Sequence, residues 1–213
     1  MASWITHLRI ADALLADKRL SPVHFVWGSV APDSGIAADA EERIFVPPKR
    51  LSHFWRETED PTRRIDPSLF EEKYLSRAGG GAPGAEAKSF YLGYWGHLIS
   101  DLMWVDFIRG YVGPDGMVSP EVKREWYDAD RIFLRERPDF EAWRIYRETP
   151  AFDNVYLDIF GREDFMKKRR EILAFYGDGA EPGELKHLDP AKLEDFISSA
   201  ARVVASRINK YLD

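Results

Sequence analysis

An all-α fold, a single domain built as a multi-helix bundle around one central buried helix, is what the sequence predicts, and three observations predict it. Apolar residues recur with helical spacing in segment after segment. No stretch alternates with period two for long enough to form a convincing strand. One run, Ser89 to Val112 (SFYLGYWGHLISDLMWVDFIRGYV), is aromatic or aliphatic on nearly every side, as a helix enclosed by others should be. A chain of 213 residues is large enough for one generous core and short for two domains, and it contains no internal repeat.

Taken in order, residues 3 to 17 carry Trp4, Leu8, Ala11 and Leu15 on one stripe, with His7, Ile10 and Leu14 beside it. This is an amphipathic helix with Ser3 as N-cap and His7 facing inward. Pro22 opens a second helix, VHFVWGSVA, at the first-turn position where a missing N–H is harmless. It stops at Ala31-Pro32-Asp33, because the residue before proline is pushed out of the helical region. Residues 34 to 48 read as loop, and a short helix follows from Lys49 to about Glu57, carrying His53. Asp66-Pro67 starts another, through Leu75, that ends in the tract Gly79-Gly80-Gly81-Ala82-Pro83-Gly84, a flexible linker or a lid. The central helix spans about six turns. Beyond it, helices are expected at 120–135, 139–148, 155–160, 163–176 and 190–212.

Composition excludes several classes. Without cysteine there are neither disulfides nor thiolate ligands, so any metal is held by His, Asp, Glu or backbone oxygen. The net charge is -6 and the basic residues are dispersed, which carries no strong nucleic-acid or membrane signal. No run of about 18 apolar residues lacks charges, so no transmembrane helix is expected. The opening MASWITHLRIADALLADK places His7, Arg9 and Asp12 where a signal peptide needs an apolar stretch, and a cytoplasmic location is the expectation.

The chemistry concentrates in a few polar residues set into apolar segments. His97 and Asp101 are four apart on the central helix, one above the other on one face. Burying them unpartnered is unfavourable by several kcal/mol for the carboxylate alone, on the order of a lost ion's hydration, and a metal ion would compensate. His7, His53 and Asp33 complete a set of three imidazoles and two carboxylates from four separate elements, suited to zinc and also to iron, manganese or nickel. Core packing is the expectation for His24, Tyr91, Tyr94, Trp95 and Trp104, a local capping role for His187, and a solvated helix face for Lys167-Lys168-Arg169-Arg170.

Four ordered elements, SWITHLRIADALL, FVWGSVAPD, LSHFWRE and FYLGYWGHLISDLMW, resemble the zinc-dependent phospholipase C family, whose helical fold is shared with single-strand-specific nucleases. The resemblance spans roughly the first 110 residues. It implies a phospholipase C/nuclease-like fold, with His7, Asp33, His53, His97 and Asp101 as metal ligands, Asp101 bridging if two ions are present, and Asp33 also a candidate general base. It implies zinc, as one or two divalent ions, and a small phosphoester or phosphodiester substrate attacked by metal-activated water. Two departures stand out. Secreted members ligate zinc through a processed N-terminal tryptophan, whereas Trp4 follows Met-Ala-Ser here. They also use later histidines, whereas this chain has none between His97 and His187, leaving Asp106, Glu125, Asp128 or Asp130 as substitutes. The competing expectation is a non-catalytic helical protein with a structural ion. An HD-type phosphohydrolase needs a His-Asp dipeptide, which is missing.

Overall fold

The computed structural model describes residues 1–39, 44–76, 84–113 and 116–212. Their order is α1 (Trp4–Asp12), α2 (Pro22–Val30), a 3-10 turn (Ala31–Asp33), β1 (Ile36–Asp39), β2 (Ile44–Val46), α3 (Lys49–Ser52), a 3-10 turn (Pro61–Arg63), α4 (Pro67–Phe70) continued by a π-helical turn (Glu71–Leu75), α5 (Ala85–Ile108), α6 (Pro120–Glu136), α7 (Glu141–Glu148), α8 (Asp164–Tyr176) and α9 (Pro190–Asn209). The protein is mostly helical, as the periodicity predicts. The Gly79–Gly84 tract falls, apart from Gly84, outside the described residues.

The central helix begins four residues earlier than expected and runs from Ala85 to Ile108. Phe90, Leu92, Tyr94, Trp95, Leu98 and Trp104 on it are all buried, and α1, α2 and α9 pack around it. Its closest neighbour is α2, and two glycines set that approach. A Cβ on Gly28 would run into the Phe90 carbonyl oxygen, and one on Gly93 into that of Phe25. The two backbones therefore nearly touch, which brings the Ser29 carbonyl within 2.8 Å of His97 Nδ1.

Local chemistry explains where the elements begin and end. Ser3 caps α1 by accepting from the Thr6 N–H, and Pro22 occupies the first turn of α2. The first helix stops at Asp12 rather than near residue 17. There the Asp12 carboxylate accepts the Ala142 N–H, capping the start of α7 instead of lying on a continued helix. The third helix is one turn long because Phe54 takes a left-handed φ of 50°, outside the helical region.

Two expectations are corrected. Residues 34–48 contain an antiparallel hairpin with Ile36 opposite Val46 and Ala37 opposite Phe45, and a register shift before Asp39. Strands of three and four residues are too short to show an alternation. Residues 155–160 are not helical. Asn154 captures them: its Nδ2 donates to the Leu157 and Phe160 carbonyls, and its Oδ1 accepts from the Tyr156 and Leu157 N–H groups. A side chain that satisfies four backbone groups removes the incentive to form a helix.

Candidate metal centre

Each of the five side chains arrives from a separate piece of local structure, save the pair on α5. His7 projects from the middle of α1, Asp33 from the 3-10 turn that follows α2, His53 from the end of α3, and His97 and Asp101 from adjacent turns of α5. The close α2–α5 packing brings the Asp33 turn beside the His97–Asp101 face. The structure thus brings all five together. His7, His97 and Asp101 form one group of potential ligand atoms and Asp33, His53 and His97 a second, the atoms of each lying within 4.8 Å of one another.

Asp101 is the hub. Its Oδ1 accepts the Ala2 N–H at 2.8 Å and lies 3.3 Å from His7 Nε2, while its Oδ2 lies 3.5 Å from His53 Nε2 and 3.4 Å from His97 Nε2. Asp33 Oδ1 is 3.5 Å from His53 Nε2. These separations are long for a charge-assisted hydrogen bond, which spans about 2.7–2.9 Å. They agree with the edge of a tetrahedron around an ion with bonds near 2.1 Å, roughly 3.4 Å.

The far side of each imidazole is anchored. His7 Nδ1 meets Ser100 Oγ at 3.1 Å, and His53 Nδ1 meets Ser52 Oγ at 2.9 Å. His97 Nδ1 faces the Ser29 carbonyl, which can only accept, so the proton of the neutral ring sits on Nδ1 and the Nε2 lone pair turns to Asp101. His7, His53 and His97 Nε2 and Asp101 Oδ2 are buried and have no hydrogen-bond partner. Imidazole nitrogens and carboxylate oxygens converging in a dry interior are what a cation among them would satisfy. The residues fit a divalent metal.

The electrostatics agree. Burial, with His97 stacked on it at 3.7 Å, lowers His7 to a pKa of about 4, and burial also lowers His53. Burial opposes protonation of His97 too, but the Asp101 and Asp33 carboxylates outweigh it and raise that ring. Against burial, the amino terminus and His97 hold Asp101 well below the usual carboxylate range, and Lys49 and His53 do the same for Asp33. Both carboxylates are therefore ionised, and His7 and His53 are neutral imidazoles.

None of Asp106, Glu125, Asp128 and Asp130 joins either ligand group among the described residues. Asp106 is engaged by Arg63 at the surface, and Glu125 accepts the His187 and Leu188 N–H groups. Asp128 is buried close to Gly183. Asp130 accepts from Ser3 Oγ and from the Tyr176 hydroxyl. They sit on or beyond the end of α5 and on α6, where helix geometry turns them toward other partners. His24, half-buried, bonds Ser21 Oγ away from the site.

Sequence reasoning missed the cleft beside the cluster. It has a volume of about 710 Å³ and is lined by Asp33, Lys49 and Ser52 on the cluster side and by Trp4, Phe45, Trp126 and Tyr127 as aromatic walls. The cleft reaches the cluster through Asp33, whose side chain is 7 % exposed, whereas His53 and Asp101 are fully enclosed. Lys49 Nζ stands 3.4 Å from Asp33 Oδ1. Its position four residues ahead of His53 was the available signal. The aromatics expected to pack do so, with Tyr94, Trp95 and Trp104 in the core. The basic run on α8 is not a fully solvated face: Lys168 is buried against Glu171, and Arg169 donates to the Tyr146 and Arg147 carbonyls.

Among the described residues no helix is long and apolar enough to cross a membrane. Comparison with family models, curated proteins and solved structures finds no match for this chain.

Proposed function

We propose that the protein is a metal-dependent phosphoester or phosphodiester hydrolase, phospholipase C-like in fold and in site, holding one or two divalent ions, zinc foremost. The observation that supports this most is the set of three unpartnered Nε2 atoms turned on the Asp101 carboxylate, whose Oδ2 is also unpartnered, beside a cleft that admits a substrate to Asp33. His7, Asp33, His53, His97 and Asp101 would hold the ion or ions, with Asp101 placed to bridge because its two oxygens face different histidines. A bound divalent ion polarises a phosphoryl oxygen and makes its water acidic near neutral pH.

The chain's own residues then have separable tasks. Ser100, Ser52 and the Ser29 carbonyl fix the imidazoles so that each offers Nε2. Asp33 is the ionised carboxylate at the cleft and accepts the proton of an attacking water. Lys49, beside it, keeps it ionised and offers an ammonium to a phosphoryl oxygen.

A second reading, an ion that only ties α1, the 3-10 turn, α3 and α5 together, draws on the near-complete enclosure of His7, His53, His97 and Asp101. Purified protein is analysed for bound metal and assayed on bis(p-nitrophenyl) phosphate with and without chelator. Turnover that chelation and His97→Ala both abolish supports the hydrolase. Retained metal without turnover, with a large drop in melting temperature on chelation, overturns it in favour of the structural ion.

A further inference from the structure

The charges lining the cleft are lopsided for a chain of net charge -6. The side chains lining it carry three ammonium groups, on Lys49, Lys123 and Lys168, against two carboxylates, on Asp33 and Glu171. Glu171 is taken by Lys168, whose Nζ it meets at 2.5 Å, and Asp33 belongs to the ligand cluster. Lys123, half-buried on α6, has no ion-pair partner among the described residues. Once an ion occupies the cluster, Lys49 and Lys123 are surplus positive charge facing the space that a substrate enters.

The walls restrict the ligand further. Lys49 Nζ lies 5.4 Å from the centroid of the Phe45 ring and Lys168 Nζ 6.0 Å from that of Trp4. Those ring faces, which would attract a quaternary ammonium headgroup, are already held by cations that would repel one. An anion meets the opposite circumstances: the cleft that opens on the cluster also carries Lys49 and Lys123, together with flat apolar surface for the organic part.

On the hydrolase reading above, we infer that the cleft selects a phosphate carrying two negative charges, a monoester dianion with an apolar or aromatic body, over a singly charged diester or a zwitterionic phosphocholine ester, and that Lys123 is a specificity-determining residue. A diester's single charge is matched by the metal site alone. The second charge of a monoester gives Lys123 and Lys49 something to neutralise in a partly water-excluded cleft, where charge pairing is stronger than at an open surface.

The test uses two non-hydrolysable probes, phenylphosphonate and its monomethyl ester, at a pH where the former is a dianion. Binding to the zinc-loaded full chain is read from the fluorescence of Trp4 and Trp126, which line the cleft, and zinc affinity is measured separately for each variant. Wild type should bind the dianion about tenfold more tightly than the monoanion, and Lys123→Met should lose most of that preference, on the order of fivefold, with zinc affinity unchanged. Lys123→Arg should keep the preference, which a purely structural role would not require. Equal binding of the two probes, tighter binding of phosphocholine, or an undiminished preference in Lys123→Met would overturn the inference while zinc binding and diester turnover leave the hydrolase reading standing. Absence of zinc binding, or of any turnover by zinc-loaded wild type, overturns the hydrolase reading itself and this inference with it.

Discussion

Replacing Asp101 with asparagine tests the centre at its most connected point. The side chain is fully buried, its oxygens lie 3.3–3.5 Å from three imidazoles, and the exchange preserves shape while removing one of the cluster's two negative charges. Truncating one partner of a buried charged set typically costs about 3–5 kcal/mol, which corresponds to roughly a 10²-fold to a few 10³-fold loss of ion affinity at about 1.4 kcal/mol per decade. Asp33→Asn should lose less, about tenfold, because that carboxylate lies at the cleft and an amide oxygen there can still ligate. Competition with a chromophoric chelator measures both affinities. Thermal unfolding supplies an independent readout: an ion at about 1,000 times its Kd stabilises wild type by about 4 kcal/mol, or roughly 8–16 °C for a chain of this size. At the same ion concentration Asp101→Asn should shift by less than about 6 °C. Wild-type affinity in Asp101→Asn, or a loss at Asp33→Asn as large or larger, would refute the placing of Asp101 at the hub.

Other outcomes are expected elsewhere in the molecule. Gly93→Ala forces a methyl group onto the Phe25 carbonyl at the α2–α5 contact, and should cost about 3 kcal/mol of stability by urea unfolding while weakening ion binding, because the Ser29 carbonyl that seats His97 moves with α2. An unchanged urea midpoint would show that the helices are not so closely apposed. Burial raises Asp130 to a pKa of about 7 despite the donors Ser3 and Tyr176. The unfolded carboxyl ionises near pH 4 and the folded one near 7, so the unfolded state binds fewer protons in that window and stability falls as pH rises through it, by up to roughly 4 kcal/mol. The stability difference between wild type and Asp130→Asn should decline from pH 4 to 8 by that amount; a flat difference would mean Asp130 is ionised throughout. Lys49→Met should lower turnover of an aryl phosphate at least about tenfold, as the loss of one charge-assisted contact to a phosphoryl oxygen, and wild-type kinetics would remove it from the site.

What the amino-acid sequence determined by itself is whatever depends on neighbours within one helical turn. The spacing of His97 and Asp101, the Ser3 cap, Pro22 at a first turn and the apolar girth of the central helix are all set by local periodicity and backbone sterics. The five polar residues stand out in sequence for the same reason, since each interrupts an otherwise apolar segment. The tertiary structure alone decided which distant groups meet. Asn154, whose bonds reach only two to six residues along the chain, is a local exception that periodicity does not report. Lys168, in a run of four basic residues that looks solvated, is covered because α8 packs its face inward. The cleft joins residues from α1, the hairpin, α3, α6 and α8, segments as far apart as Met1 and Glu171, and no pattern along the chain encodes that meeting. Burial and electrostatic partnership are properties of packing, and so are the unpartnered polar atoms that mark the candidate metal centre.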